Sequence, residues 1–175
     1  MKICLNTSTI KPVPLLEKIK LVGEAGFEGI ELWLNDVWEF VARGGEVSEI
    51  SRALDDHGLI VPSVIAMRQW GDFEGWEHQL VLDEARRRFA LGARLGAPYI
   101  VATPPLENPE TSHLAPRYKE LLQIGREEGI KPTFEYISFF KSVHTLKRAW
   151  EIVQEADDPD ATLILDAFHN WNSAS

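Results

Sequence analysis

Short apolar runs with strand-like alternation take turns with longer stretches whose apolar positions recur at helical spacing. The strand-like runs cover 2–9, 29–34, 60–67, 98–103, 131–138 and 162–166. The helical patterns cover 14–25, 37–41, 47–57, 76–95, 115–128 and 143–156. Gly26, Gly58, Gly96 and Gly129 each follow a helical pattern, where a left-handed residue ends a helix. Helix, glycine stop, turn and strand recur about every 30 residues, the length of a βαβ unit. The units do not resemble each other in sequence, so the recurrence is one of structure and not a solenoid repeat. Runs such as Tyr99-Ile-Val-Ala and Leu163-Ile-Leu are apolar on both faces, as in a parallel sheet covered by helices. No linker or composition break interrupts the pattern, which predicts one domain over 1–175.

A closed parallel α/β barrel needs eight strands, usually over about 250 residues. The pattern supplies six, so the expected fold is an incomplete (β/α) barrel with about six of its eight units. Two sheet edges are then left unpaired. The chain is accordingly expected to be a shortened barrel, or a homo-oligomer that completes itself through those edges. An open doubly wound sheet is the alternative, but no Gly-rich phosphate loop follows the first strand.

Composition narrows the field. A chain of 175 residues suffices for a substantial core, and 45% hydrophobic with 26% charged residues is ordinary for a globular protein. The net charge of −9 opposes nonspecific attraction to nucleic acid and anionic membranes. A single cysteine, Cys4, excludes an internal disulfide and reads as a buried, inert thiol in a reducing cytoplasm. The start turns polar too soon for a signal peptide and no run is long enough for a bilayer, so a cytoplasmic location is expected.

Strand alternation selects the candidate chemistry. In 131–138, Thr133, Glu135 and Ile137 share a face; in 162–166, Ile164 and Asp166 do. The large apolar neighbours belong under helices, so Glu135 and Asp166 point inward near the ends of adjacent strands. Two inward carboxylates repel unless protonated, paired or bridged by a cation. No basic residue is evident in the strand interiors, which favours a divalent metal: Mg or Mn, or Co or Zn if imidazole joins. His169 follows Asp166 by three residues, at the pocket mouth, where it could hold metal or a substrate oxygen; a solvated loop histidine is the bland alternative. Glu31 faces inward with Trp33, either lining the pocket or making a structural hydrogen bond. Asn6 and Ser8 project inward from the first strand on the same logic. Trp33, Trp70 and Trp171 fall near strand ends, where stacking on a sugar ring competes with simple packing, the commoner role. Arg86, Arg87 and Arg88 read as a solvated helical face. His57, His78 and His144 read as solvent-facing, and His113 as a helix-start residue.

Gly29-Ile-Glu-Leu-Trp33, Thr133-Phe-Glu-Tyr136 and Leu163-Ile-Leu-Asp-Ala-Phe-His169 resemble the xylose isomerase-like TIM barrel superfamily of sugar phosphate isomerases and epimerases. The likeness extends from the first strand to the last motif, which is the specific one. It implies that Glu135 and Asp166 are metal ligands and that His169 contacts substrate. It also implies two further ligands from a seventh and an eighth strand, which the sequence does not contain. The implied reaction is isomerisation or epimerisation of a sugar or polyol through removal of the proton alpha to a metal-bound carbonyl. Glu135 is then the base, His169 orients a hydroxyl, and Glu31, Asn6 and Trp33 line the substrate pocket. An inosose-type dehydratase shares the first step. An endonuclease IV-like DNA-repair enzyme would need histidines near the second and third strands, where Trp33-Leu-Asn35 and Ala66-Met-Arg68 stand instead. A non-catalytic fragment that oligomerises through open edges is the competing reading from another class.

Overall fold

The computed structural model describes residues 1–108 and 110–173; the last two residues of the expected domain lie outside these. Six parallel strands form one sheet in sequential order: β1 (Cys4–Asn6), β2 (Gly29–Trp33), β3 (Val64–Met67), β4 (Tyr99–Ala102), β5 (Lys131–Glu135) and β6 (Leu163–Ile164). The connecting helices are α1 (Leu15–Glu24), α2 (Leu34–Ala42), α3 (Val47–Asp56), α4 (Gly75–Arg94), α5 (Leu114–Glu128) and α6 (Leu146–Glu155), with a short α7 (Ala167–Asn172) after β6. This is an incomplete parallel α/β barrel with helices on its outer face, as the periodicity predicts. Gly26, Gly58, Gly96 and Gly129 all have positive φ, so the glycine stops are helix-ending turns.

Alternation sets the two faces. Ile30 and Leu32 on β2, Val64 on β3, Ile100 on β4 and Phe134 on β5 are fully buried beneath the helices. Their partners include Ile19 and Val22 of α1, Phe89 of α4 and Ile152 of α6, in one contiguous core. Trp70, Tyr118 and Phe134 form an aromatic cluster with edge-on contacts 5.5 Å between centroids for both pairs that include Phe134. The Tyr118 hydroxyl lies 2.9 Å from the Pro132 carbonyl and 3.0 Å from that of Thr162, and it accepts from the Thr162 amide at 3.2 Å. Burial raises its pKa to about 12, so it stays a neutral donor joining α5, β5 and the start of β6.

Several expectations need correction. The first strand ends at Asn6, because the Asn6 side chain accepts from the Ser8 amide and caps a 3-10 turn over Thr7–Ile10. That turn leaves Ser8 exposed and buries Thr7 instead. His78 is 2% exposed, not solvated, since it lies where α4 packs on α5 and its Nε2 is 2.7 Å from Glu120. His57 is half-buried against Gly23; His144 is exposed, as expected, and His113 occupies the N-cap position of α5. Arg88 departs from the solvated face: it bonds Glu84, Asn35 and the Ala66 carbonyl and lies over the Trp38 ring. Arg86 pairs with Glu127 across to α5. Cys4 is half-buried, and burial raises its thiol pKa. Leu165 is 64% exposed, just past the end of the two-residue β6, while Leu163 packs against the core. Trp70 is packed, whereas Trp171 is 88% exposed and packs little.

Candidate metal centre

Glu135 is the last residue of β5, and Asp166 follows β6 by two positions as the N-cap of α7. One Asp166 oxygen accepts from the Phe168 amide at 2.7 Å, which fixes the carboxylate and starts the helix. The first turn of α7 brings His169 back over Asp166, with Nε2 4.0 Å from Oδ2. Glu135, Asp166 and His169 each contribute one donor atom, and the three atoms lie within 4.8 Å of one another. His169 is therefore in a short helix and buried, not in a solvated loop.

Burial is the largest effect on Glu135. With the negative charges of Asp166 and then Glu31, it raises the Glu135 pKa to about 7. Glu31 on β2 thus adds its charge at Glu135, three strands away in the sheet order. Neither Glu135 nor Asp166 has a Lys or Arg at ion-pair distance among the described residues. Two carboxylate oxygens with no cationic side chain to balance them form a donor pair that fits a divalent cation, with the imidazole beside it.

The tautomer of His169 follows from its neighbours. The Ser138 amide donates to Nδ1 at 3.4 Å, and the Ser138 hydroxyl is 3.2 Å from the same nitrogen. An accepting Nδ1 carries no proton, so the neutral ring carries its proton on Nε2. Phe139 and Phe168 flank the ring with centroids 5.6 and 5.3 Å away. Ser138 and the two phenylalanines were not singled out by sequence; Ser138 closes the run 131–138 and could have been read from its position.

The opposite wall is a hydrogen-bonded set. Asn6 and Glu31 are register partners on β1 and β2. Asn6 Nδ2 donates to Glu31 at 2.5 Å, its Oδ1 accepts from Trp33 Nε1 at 3.2 Å, and Ser63 donates to the other Glu31 oxygen. Burial raises the Glu31 pKa, the two hydrogen bonds oppose that rise, and Asp166 adds to it. The structural hydrogen bonds considered for Glu31 are therefore present, within electrostatic reach of Asp166 and Glu135. Ser63 is the partner missed by sequence, although it falls within the strand-like run 60–67. Lys11 and Arg68 lie 5.0 and 5.2 Å from the centroid of the Trp33 ring.

Known proteins give this geometry a context. The chain is 29% identical over 163 residues to a 3-dehydroshikimate dehydratase of Pseudomonas aeruginosa, covering 89% of this chain and 24% of that protein. An inosose isomerase of Halalkalibacterium halodurans is 22% identical, covering 97% of this chain and 63% of the relative. The chain thus spans about a quarter of the first relative's length and under two thirds of the second's. Among solved structures, an IOLI protein with a bound zinc atom superposes with a TM-score of 0.85 at 21% identity, covering 97% of this chain and 64% of the other. The model of the xylose isomerase-like TIM barrel matches residues 19–174. By that match, the chain belongs to the xylose isomerase-like TIM barrel family.

Proposed function

We propose that the centre serves a divalent-metal-dependent reaction on a sugar- or polyol-derived hydroxy-ketone, beginning with removal of the proton alpha to the carbonyl. The carrying observation is the convergence of Glu135, Asp166 and His169, whose donor atoms lie within 4.8 Å of one another. Asp166 and one oxygen of Glu135 would hold the cation. A bound divalent ion supplies Lewis-acid polarisation of a carbonyl and its adjacent hydroxyl.

Glu135 presents its second oxygen to the substrate carbon, takes the proton and can return it. His169, with its proton on Nε2, donates a hydrogen bond to a substrate oxygen and does not compete for the cation. The bond from Ser138 to Nδ1 keeps that tautomer. Glu31, held by Asn6 and Ser63, accepts from a substrate hydroxyl on the facing wall, and Trp33 closes the pocket beside it. Return of the proton to another carbon or face gives isomerisation or epimerisation. Loss of a beta hydroxyl after the same first step gives dehydration, a second reading favoured by the likeness to the 3-dehydroshikimate dehydratase. Cleavage of abasic DNA is not expected.

The test is solvent exchange. The protein is supplied with Mn or Zn, bound metal is measured, and loss of the alpha proton from candidate hydroxy-ketones is followed by NMR in D2O. Exchange that needs metal and drops at least a hundredfold in Glu135→Gln is expected. Equal exchange by wild type and Glu135→Gln would overturn the reading. A metal-free oligomer with no exchange would instead favour a non-catalytic role.

A further inference from the structure

Trp33 is the last inward-facing residue of β2, one alternation beyond Glu31. Its ring is fixed, because Nε1 donates to Asn6 and Asn6 in turn donates to Glu31. Lys11, after the 3-10 turn that follows β1, and Arg68, just past β3, bring an ammonium 5.0 Å and a guanidinium carbon 5.2 Å from its centroid. Neither cation has a carboxylate at ion-pair distance among the described residues. Arg43, Arg86, Arg88, Arg126 and Arg148, by contrast, all have acidic partners, while Arg52, Arg87 and Arg94 lack an ion pair among the described residues without being gathered on a ring. The backbone beside them is also held in an uncommon conformation: Gln69 has φ 63°, a left-handed position for a residue with a side chain. The ring thus gathers two unpaired positive charges at the strand ends of β1, β2 and β3, while the carboxylates gather at those of β5 and β6.

We infer that Lys11 and Arg68, seated on Trp33, form a subsite for an anionic oxygen group carried by the substrate at the end remote from its carbonyl and vicinal hydroxyl. This deepens the proposed reaction and rests on it for the rest of the substrate. A guanidinium offers paired N–H donors to a carboxylate or phosphate, and an ammonium adds a mobile point charge. Stacking on an immobilised indole restricts both cations in advance, which lowers the entropy lost when the anion arrives. The ligand class is therefore a hydroxy-ketone acid or its phosphate ester, not a neutral sugar.

The experiment compares probes that differ only in the charged group. One pair is 5-keto-D-gluconate and L-sorbose; the other is ribulose 5-phosphate and ribulose. Titration calorimetry on the protein loaded with Zn reads affinity, and the Trp33 indole N–H resonance reports occupancy with or without metal. The charged member of at least one pair is expected to bind about tenfold or more tightly than the neutral one. Preference within the first pair assigns the subsite to carboxylate, and within the second to phosphate. Both side chains are exposed, so Arg68→Gln with Lys11→Gln should keep the fold and bound Zn while abolishing the preference. Equal affinity of charged and neutral probes in both pairs, or a preference unchanged in the double variant, overturns the subsite. If Zn fails to bind, the metal reaction falls separately. The shift of the Trp33 indole resonance by charged probes, and not by neutral ones, then decides the subsite on the metal-free protein.

Discussion

Glu135 combines burial, a facing aspartate and a more distant glutamate, all of which favour its protonated form. The consequence for stability has a definite sign. A carboxyl whose pKa rises from 4.5 to about 7 on folding binds more protons folded than unfolded between those values. Stability of the metal-free protein should therefore fall as pH rises from about 4.5 to 7, by roughly 3 kcal/mol at most from this group. Urea unfolding at pH 5 and pH 8 measures it, with Glu135→Gln expected to flatten that part of the profile and to be the more stable protein at pH 8. A profile identical in wild type and variant would show that the carboxyl titrates normally. Strand alternation was enough to turn Glu135, Asp166 and Glu31 inward. It could not give the tautomer of His169, which depends on Ser138 across a loop, nor the bond from Ser63 to Glu31, which depends on the register of β2 against the chain entering β3. Ser8 was misplaced for a local reason, since a single asparagine cap stopped the strand two residues before it.

At the scale of elements, apolar periodicity and glycine stops were legible because they are local properties of the chain. Strand lengths were not: the runs 60–67 and 162–166 form strands over Val64–Met67 and Leu163–Ile164, with a separate bridge at Ile60. Pairing needs a neighbour in register, and β6 has one on a single side. Much of what holds β6 is a side chain from elsewhere, the Tyr118 hydroxyl in contact with both the carbonyl and the amide of Thr162. Tyr118→Phe keeps the aromatic cluster but leaves those groups without that partner. A loss of about 1–3 kcal/mol is expected, with hydrogen exchange accelerated first at Thr162 and its neighbours. Uniform acceleration across β2 and β3 would argue that Tyr118 supports the whole sheet and not its last strand. His78 illustrates the limit of helical-face reading: α4 is long enough that both its α2 and α5 sides are covered, so a histidine assigned to water meets Glu120.

Over the whole molecule, the sheet presents two lateral strands, and apolar side chains collect beside them. Ile3 near β1 and Leu165, Phe168 and Trp171 near β6 are all more than half exposed. Apolar surface next to unpaired strand edges favours association between chains. Sedimentation velocity of this chain should show mass increasing with protein concentration, and Leu165→Lys with Trp171→Lys should return it towards the monomer. A wild type that stays monomeric at every concentration would set that expectation aside. The curvature that makes these edges also brings acids from both halves of the sequence into one electrostatic field, so edge and centre are consequences of one arc.

The amide of Asn6 has its orientation fixed by two N–H groups, from Ser8 and Trp33, that both converge on its oxygen. Its nitrogen is thereby left to face Glu31. Hydrolysis of that one amide to Asp would replace a donor with a further anion and set two carboxylates against each other across β1 and β2. Asn6→Asp reproduces such chemical ageing. It should lower the melting temperature by several degrees at pH 8 and by less at pH 5, where the new pair can share a proton. A protein kept in alkaline storage would carry the same damage as a one-dalton gain on the peptide containing residue 6, a slow clock written into the wall of the pocket.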